Sequence, residues 1–176
     1  MLVKPSFKKQ LLLTTLLSLS ATQIFASNSN EQIPIGKLPE WAIPESYDLD
    51  FKIDPAQKSY TGKTTIHLKL TQATDHVWIH GKSLSVKDVS ILSATGQKTT
   101  AKYEQASAVD GVSLIKFAKT LAAGQYRLVL DFNADYDQQL DGIYKIEFEG
   151  KPYVMTQMEA ISARQSFPSF DEPRFK

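Results

Sequence analysis

The sequence contains no cysteine among its 176 residues. This absence excludes disulfides, thiolate metal ligands, a cysteine nucleophile and a lipid anchor attached to a cysteine. A secreted protein without disulfides suits a bacterial periplasm at least as well as an extracellular space. The chemistry of the chain must therefore rest on carboxylates, amides, hydroxyls, histidines and basic side chains.

The chain also lacks a strong charge of either sign. Its formal net charge is +1, and Lys4, Lys8 and Lys9 stand in an N-terminal stretch that has no acidic residue. Without those three lysines the remaining body carries −2. A nearly neutral body with no basic cluster argues against nucleic-acid binding.

Several catalytic motifs are missing from the sequence. It has no H-E-x-x-H zinc motif, no G-x-S-x-G nucleophile elbow and no glycine-rich phosphate loop. Of the three histidines, His67 lies on the polar phase of its strand pattern. His76 and His80 are four residues apart, which is about 13 Å along an extended strand and too far for shared metal ligation. We expect no metal site within these residues.

The first 26 residues have the pattern of a secretory signal peptide. A basic start is followed by the apolar run LLLTTLLSLSATQIF and by Ala26 at the expected cleavage point. The alternative is a retained membrane anchor, but the run is short and interrupted by Thr, Ser and Gln. We expect secretion, with no stable membrane span after cleavage, into the periplasm of a Gram-negative bacterium.

The rest of the chain predicts an all-β fold. Residues 27–46 contain three prolines, which favour an extended arm, and residues 47–176 show repeated alternation of apolar and polar side chains. Each alternating run predicts a strand with one buried face. The predicted strands are YDLDFKID, SYTGKTTIHLKL, HVWIH, LSVKDVSIL, VSLIKFA, QYRLVLDF, IYKIEF and PYVMTQM, the last two joined by a tight turn at Glu149-Gly150-Lys151.

The segment TQMEAISARQSFPSFDEPRFK at 156–176 contains several charged and amide side chains close together. Gln157 and Glu159 are two residues apart at a strand end, so both can face one side, with Met155 and Met158 beside them. A carboxylate and a carboxamide arranged in this way could hold an ammonium group. The alternative is an ordinary strand end that meets solvent.

Asp171 and Glu172 are neighbours in the same segment and could be taken for a general acid and base. Adjacent side chains diverge, however, and Arg164 and Arg174 are available as ion-pair partners. We therefore favour a structural role for Arg164, Asp171 and Glu172 over a catalytic one.

This segment resembles the end of the N-terminal domain of the aminopeptidase N family of zinc metallopeptidases. That family typically has T-Q-x-E, then A-R, then F-P-C-F-D-E-P and a lysine. Every one of these positions matches in this sequence except Ser169, which replaces the usual cysteine. Weaker matches at PESYDLDF, YTGK, WIHGKSL, AGQYRLVLDF and DGIY extend the resemblance over essentially all of the chain after the signal.

The resemblance implies a saddle-like antiparallel β-sheet or sandwich domain that caps a thermolysin-like catalytic domain. By similarity, Glu159 would bind the free α-ammonium of a peptide substrate and Gln157 would line the pocket for its first side chain. The implied partners are peptides with a free N-terminus and the catalytic domain of the same chain. The implied cofactor is Zn²⁺, bound by that catalytic domain through H-E-x-x-H and a later glutamate.

Neither the zinc motif nor the family's G-x-M-E-N loop occurs in the 176 residues. We therefore expect a sequence truncated before the catalytic domain, with the cap domain incomplete at its C-terminal end and the fragment inactive alone. One alternative stays open, a non-catalytic relative whose β domain serves as a binding or scaffolding module. A free-standing secreted β-sandwich adhesin would not explain the motif at 156–176.

Overall fold

The alternating pattern of the sequence is realised as strands throughout the part of the chain that the structure describes. This is a computed structural model, and it describes residues 32–175. Those residues form nine β-strands and two short 3₁₀ helices, Ala163–Gln165 and Pro173–Phe175. The strands are β1 Ala42–Lys52, β2 Ser59–Leu70, β3 Thr74–His80, β4 Leu84–Ser93, β5 Lys98–Ser107, β6 Val112–Leu121, β7 Gly124–Asp135, β8 Gly142–Phe148 and β9 Lys151–Gln157.

Seven of these strands form one curled antiparallel sheet in the order β1-β2-β7-β4-β5-β6-β3. The order brings β3 beside β6 and inserts β7 between β2 and β4, so distant parts of the chain become neighbours. β8 and β9 form a separate two-stranded hairpin. The all-β antiparallel fold predicted from the sequence is confirmed.

Apolar side chains form two clusters. The larger one contains buried residues from several strands of the seven-stranded sheet, among them Ile66, Leu68, Ile79, Ile115 and Leu130. The smaller one consists of Tyr60, Leu84, Phe132, Ala134, Tyr136 and Ile143, and Val154, Met158 and Phe167 pack against it. This second cluster attaches the β8–β9 hairpin and the segment after it to the sheet.

The hairpin has the tight turn that the sequence indicates. Phe148 pairs with Lys151, which leaves Glu149 and Gly150 as a two-residue loop. Their φ angles are 49° and 70°. Two successive left-handed residues are typical of a type I′ turn, whose twist suits antiparallel strands.

Two strands differ from the prediction. β5 was not predicted, because its sequence KTTAKYEQAS is mostly polar, yet β4 and β6 pair with it on either side. β1 begins at Ala42, inside the stretch for which an extended arm was predicted, with an irregularity in its register between Pro44 and Ser46. The predicted signal peptide at 1–26 and residues 27–31 of the arm lie outside the described residues.

Among residues 32–175, no helix has the length and apolar character that crossing a membrane requires.

Candidate functional site

Gln157 and Glu159 lie together at the end of β9. Gln157 is the last residue of the strand and pairs with Gly142 at the start of β8. The backbone N–H of Glu159 donates to the carboxamide oxygen of Gln157 at 3.3 Å. Both side chains are exposed. The two residues singled out in the sequence are thus neighbours on an open surface.

Met158, between them, points the other way. It is half-buried and packs against the second apolar cluster. Met155 lies on the Gln157 face of the hairpin, opposite Tyr144, and is 48% exposed. The carboxylate and carboxamide therefore border an apolar strip of the hairpin.

This arrangement can offer oxygen acceptors to a cation, but solvent weakens the attraction. A charge pair in water gains about 1 kcal/mol at 4 Å, and several times more where the surroundings exclude water. Because Glu159 is exposed in residues 32–175, tight recognition of an ammonium group requires a second surface to cover it.

Asp171 binds Arg164 through several contacts. Its Oδ2 accepts from the Arg164 Nε at 3.1 Å and from the Arg164 backbone N–H at 3.2 Å. The Arg164 Nη2 donates to the Asp171 carbonyl, and its Nη1 donates to the carbonyl of Asp110 in the β5–β6 turn. The Asp171 side chain is fully buried. A buried pair with several charge-assisted hydrogen bonds has the contacts that the predicted structural role requires.

Glu172 makes a second set of contacts. Its Oε2 lies 2.8 Å from the Nε of Arg174, and its Oε1 accepts the backbone N–H of Leu38 at 2.8 Å. Arg174 also contacts Glu40 at 2.6 Å. Glu172 thereby joins the end segment to the chain that precedes β1. Both carboxylates contact the arginines that the sequence offered as partners, and the structural role itself stays a prediction.

His80 is part of this site, although the sequence drew attention to it only as a possible metal ligand. It is 1% exposed, and its Nδ1 accepts the backbone N–H of Asp171 at 3.1 Å. Its backbone exchanges two hydrogen bonds with Ser169, of 2.7 and 2.9 Å. The sequence offered one indication that His80 is buried, namely its position between the apolar run VWI and a glycine.

The pKa of His80 is lowered from 6.5 to about 4, mainly because burial disfavours the charged imidazolium. The nearby Arg164 guanidinium lowers it further, while Asp171 and Glu172 act in the opposite direction. His80 is therefore neutral at pH 7. A neutral ring with Nδ1 as acceptor carries its proton on Nε2.

Ser169 stands where the resembling family has cysteine. Its side chain is 4% exposed, and among the described residues its Oγ has no hydrogen-bond partner. A buried hydroxyl without a partner is unfavourable, so this position is better suited to a less polar side chain.

The other histidines lie away from this segment. The Nδ1 of His76 contacts the carboxylate of Asp75 at 2.7 Å, and the Nε2 of His67 contacts Asp48 at 2.8 Å. Within residues 32–175, no group of three or more His, Cys, Asp or Glu side chains could hold a metal ion. The residues present therefore do not fit a zinc site.

Comparisons with known proteins identify the family of this domain. A family model described as the peptidase M1 N-terminal domain matches residues 43–176. The aminopeptidase M1 of Arabidopsis thaliana is 30% identical over 148 residues, which are 80% of this chain and 17% of that protein. The glutamyl aminopeptidase of Sus scrofa is 28% identical over 149 residues, or 80% of this chain and 16% of that protein.

The endoplasmic reticulum aminopeptidase 1 of Mus musculus is 27% identical over 148 residues, again 80% of this chain and 16% of that protein. The chain thus spans about a sixth of the length of the relatives that it matches.

Proposed function

Because this chain belongs to the peptidase M1 N-terminal domain family, we propose that it is the substrate-capping part of a zinc aminopeptidase. The enzyme would remove N-terminal residues from peptides. Gln157 and Glu159 of this domain would contact the α-amine of the substrate. The observation that carries the proposal is that these two residues, both with exposed side chains, lie together at the end of β9 within the matched family region.

The chemistry of the two side chains suits an amine. An ammonium group donates three hydrogen bonds, and a carboxylate accepts charge-assisted bonds that are about twice as strong as neutral ones. The Gln157 carboxamide adds a further acceptor beside Glu159. A peptide with a blocked N-terminus would leave the carboxylate without a partner, which is how such a site rejects it.

Because Glu159 is exposed, another part of the proposed enzyme must cover it when substrate binds. A carboxylate in open solvent binds an amine weakly, so a second domain must close over the end of β9. In the proposal this is the catalytic domain of the same protein. The apolar strip beside Gln157 gives that closure a surface from which water is readily removed.

Zinc belongs to the other domain in this proposal. No cluster of metal-binding side chains was found among residues 32–175. In metallopeptidases the ion polarises the scissile carbonyl and lowers the pKa of bound water. The part proposed for residues 32–175 is substrate binding.

We further propose that the protein is exported through the signal peptide at 1–26 and acts in a bacterial periplasm. Determining the mass of the exported protein checks this. A mature N-terminus at Ser27 is expected, whereas a retained apolar leader would contradict it.

The amine anchor is tested by Glu159→Gln in the full-length enzyme, with Glu147→Gln as the matched control on the exposed part of β8. The first substitution removes the charge and nearly preserves the shape. We expect kcat/KM for unblocked peptides to fall by about 30-fold or more, as when one member of a buried charge pair is lost. The control should stay within twofold.

An unchanged kcat/KM in Glu159→Gln, with normal folding, would contradict the anchor. A full-length protein that binds peptides but hydrolyses none would instead support the non-catalytic binding module.

A further inference from the structure

Met158 lies between Gln157 and Glu159. Both flanking side chains are exposed, whereas Met158 is half-buried against the second apolar cluster. Gln157 is also held by its pairing with Gly142 in β8, but Glu159 lies beyond the end of β9. Contacts made by Met158 can therefore hold the backbone that carries both side chains.

Met158 is held at two atoms by the turn that follows it. Its carbonyl oxygen accepts the backbone N–H of Ser162 at 3.0 Å. Its sulfur accepts the hydroxyl of Ser166 at 3.3 Å. Ser166 is fully buried, with 0% exposure. A buried hydroxyl has few alternative partners, so this contact is more specific than an exposed one.

Ser166 is in turn held by the sheet. The Tyr60 hydroxyl, from β2, donates to the Ser166 carbonyl at 2.9 Å across a separation of 106 residues. Tyr60 is 2% exposed and belongs to the second apolar cluster. Burial raises the pKa of its hydroxyl, which therefore remains a donor at every physiological pH.

The β8 strand of the hairpin also lies close to Ser166. Gly142, which pairs with Gln157, has a φ of 65°. A Cβ at this glycine would lie 2.8 Å from the Ser166 hydroxyl and 3.3 Å from the Gln165 Cβ. β8 therefore approaches Ser166 as closely as a residue without a side chain allows.

We infer that Tyr60 and Ser166 are positioning residues for Gln157 and Glu159. Tyr60 fixes Ser166, Ser166 fixes Met158, and Met158 sets the place of the two side chains beside it. The functional part of this inference rests on the proposed amine anchor. The structural part concerns this chain alone and can be measured on it.

The test is amide hydrogen exchange of the Ser162 N–H, measured by NMR, because that amide is bonded to the Met158 carbonyl. The variants are Tyr60→Phe and Ser166→Ala. Tyr126→Phe is the matched control, since Tyr126 also donates to a backbone carbonyl, that of Ala122, at 3.0 Å but in solvent. A typical hydrogen bond contributes about 0.5–1.5 kcal/mol, so exchange at Ser162 should rise roughly three- to tenfold.

A general loss of domain stability would accelerate amide exchange at the buried Leu128 and Leu130 in the same proportion as at Ser162. The inference requires the Ser162 amide to respond selectively, and Tyr126→Phe to leave it unchanged. No change at Ser162, or an equal change throughout the sheet, overturns it. Should Tyr60→Phe fail to fold, Ser166→Ala alone decides, since it removes only a hydroxyl.

A double-mutant cycle isolates the contact between hydroxyl and sulfur. Met158→Leu keeps an apolar side chain of similar size but removes the acceptor. If this contact carries the effect, Ser166→Ala in the Met158→Leu background should add almost nothing to exchange at Ser162. Full additivity would contradict the proposed link.

The functional consequence is measured in the full-length enzyme. Tyr60→Phe should raise KM for unblocked peptides several-fold, with kcat changed less, because a displaced anchor weakens binding of the amine. An unchanged KM would overturn the link from Tyr60 to the anchor. If Glu159→Gln is without effect while Ser162 exchange rises as expected, the proposed function fails and the positioning stands.

Discussion

At the scale of single residues, His80 shows how a buried histidine can serve as a neutral hydrogen-bond acceptor. Its Nδ1 binds the Asp171 amide, and its backbone pairs with Ser169. The charged groups that face it are Arg164, Asp171 and Glu172. Protonation would turn the acceptor into a donor that points at another N–H. The end segment is therefore held most firmly when this ring is uncharged.

This gives the stability of the domain a defined pH dependence. The folded-state pKa of about 4 lies below the ordinary 6.5, so below pH 6.5 the unfolded chain takes up the proton first. The contribution of neutral His80 is complete above that pH and is lost progressively down to about pH 4. We expect on the order of 2–3 kcal/mol of this contribution to be lost between pH 7.5 and 4.5.

Urea unfolding of the chain at both pH values measures this loss. His80→Asn keeps an acceptor near the Nδ1 position but cannot titrate, so it should show a smaller loss of stability on acidification than the wild-type chain. His67→Asn, at an exposed histidine, is the control and should leave the difference unchanged. Equal losses in the wild-type chain and His80→Asn would contradict the role given to His80.

At the scale of elements, the β8–β9 hairpin carries the candidate site and has only a small share of the core. Its turn uses Glu149 in the left-handed region, where a residue with a long side chain is unfavourable. Asparagine tolerates this conformation better, and Asn-Gly is the preferred pair for a type I′ turn.

Glu149→Asn should therefore stabilise the domain by about 0.5 kcal/mol, whereas Gly150→Ala should destabilise it by about 1 kcal/mol, because Gly150 has a φ of 70°. Thermal unfolding of the chain measures both changes. A more stable Gly150→Ala variant would contradict the turn assignment.

Elements with strong alternation were predictable, and those that depend on neighbours were not. β2 and β7 carry clear apolar phases, and their register is continuous from Ser59–Asp135 to Leu70–Gly124. β5 has a polar sequence and is a strand because β4 and β6 offer it hydrogen bonds on both sides. Its formation is a consequence of the sheet rather than of its own residues.

The same distinction applies to the candidate site. The sequence placed Gln157 and Glu159 two residues apart at a strand end, which predicted that they are neighbours. In the structure β9 ends at Gln157, and the bond from the Glu159 N–H to the Gln157 carboxamide connects the two. The bonds from Leu38 to Glu172 and from Asp171 to His80 span 134 and 91 residues. Contacts at such separations depend on the strand order of the sheet, which local patterns do not specify.

At the scale of the whole molecule, residues 160–175 contact three separate parts of the described chain. Arg164 contacts the β5–β6 turn, His80 binds the segment from the end of β3, and Glu172 binds the chain before β1. Gln157 and Glu159 lie directly before residues 160–175 and are exposed. We predict that Arg164, Asp171 and Glu172 hold this segment in place and that Gln157 and Glu159 are available to a ligand.

The central claim is that this exposed pair receives the free amine of a peptide. The most direct test is a crystal structure of the full-length protein with a non-hydrolysable peptide analogue that has a free N-terminus. We expect the amine nitrogen within about 3 Å of a Glu159 carboxylate oxygen, with the Gln157 carboxamide beside it. An analogue whose amine is bound elsewhere, with Glu159 still in solvent, would contradict this role of the two residues.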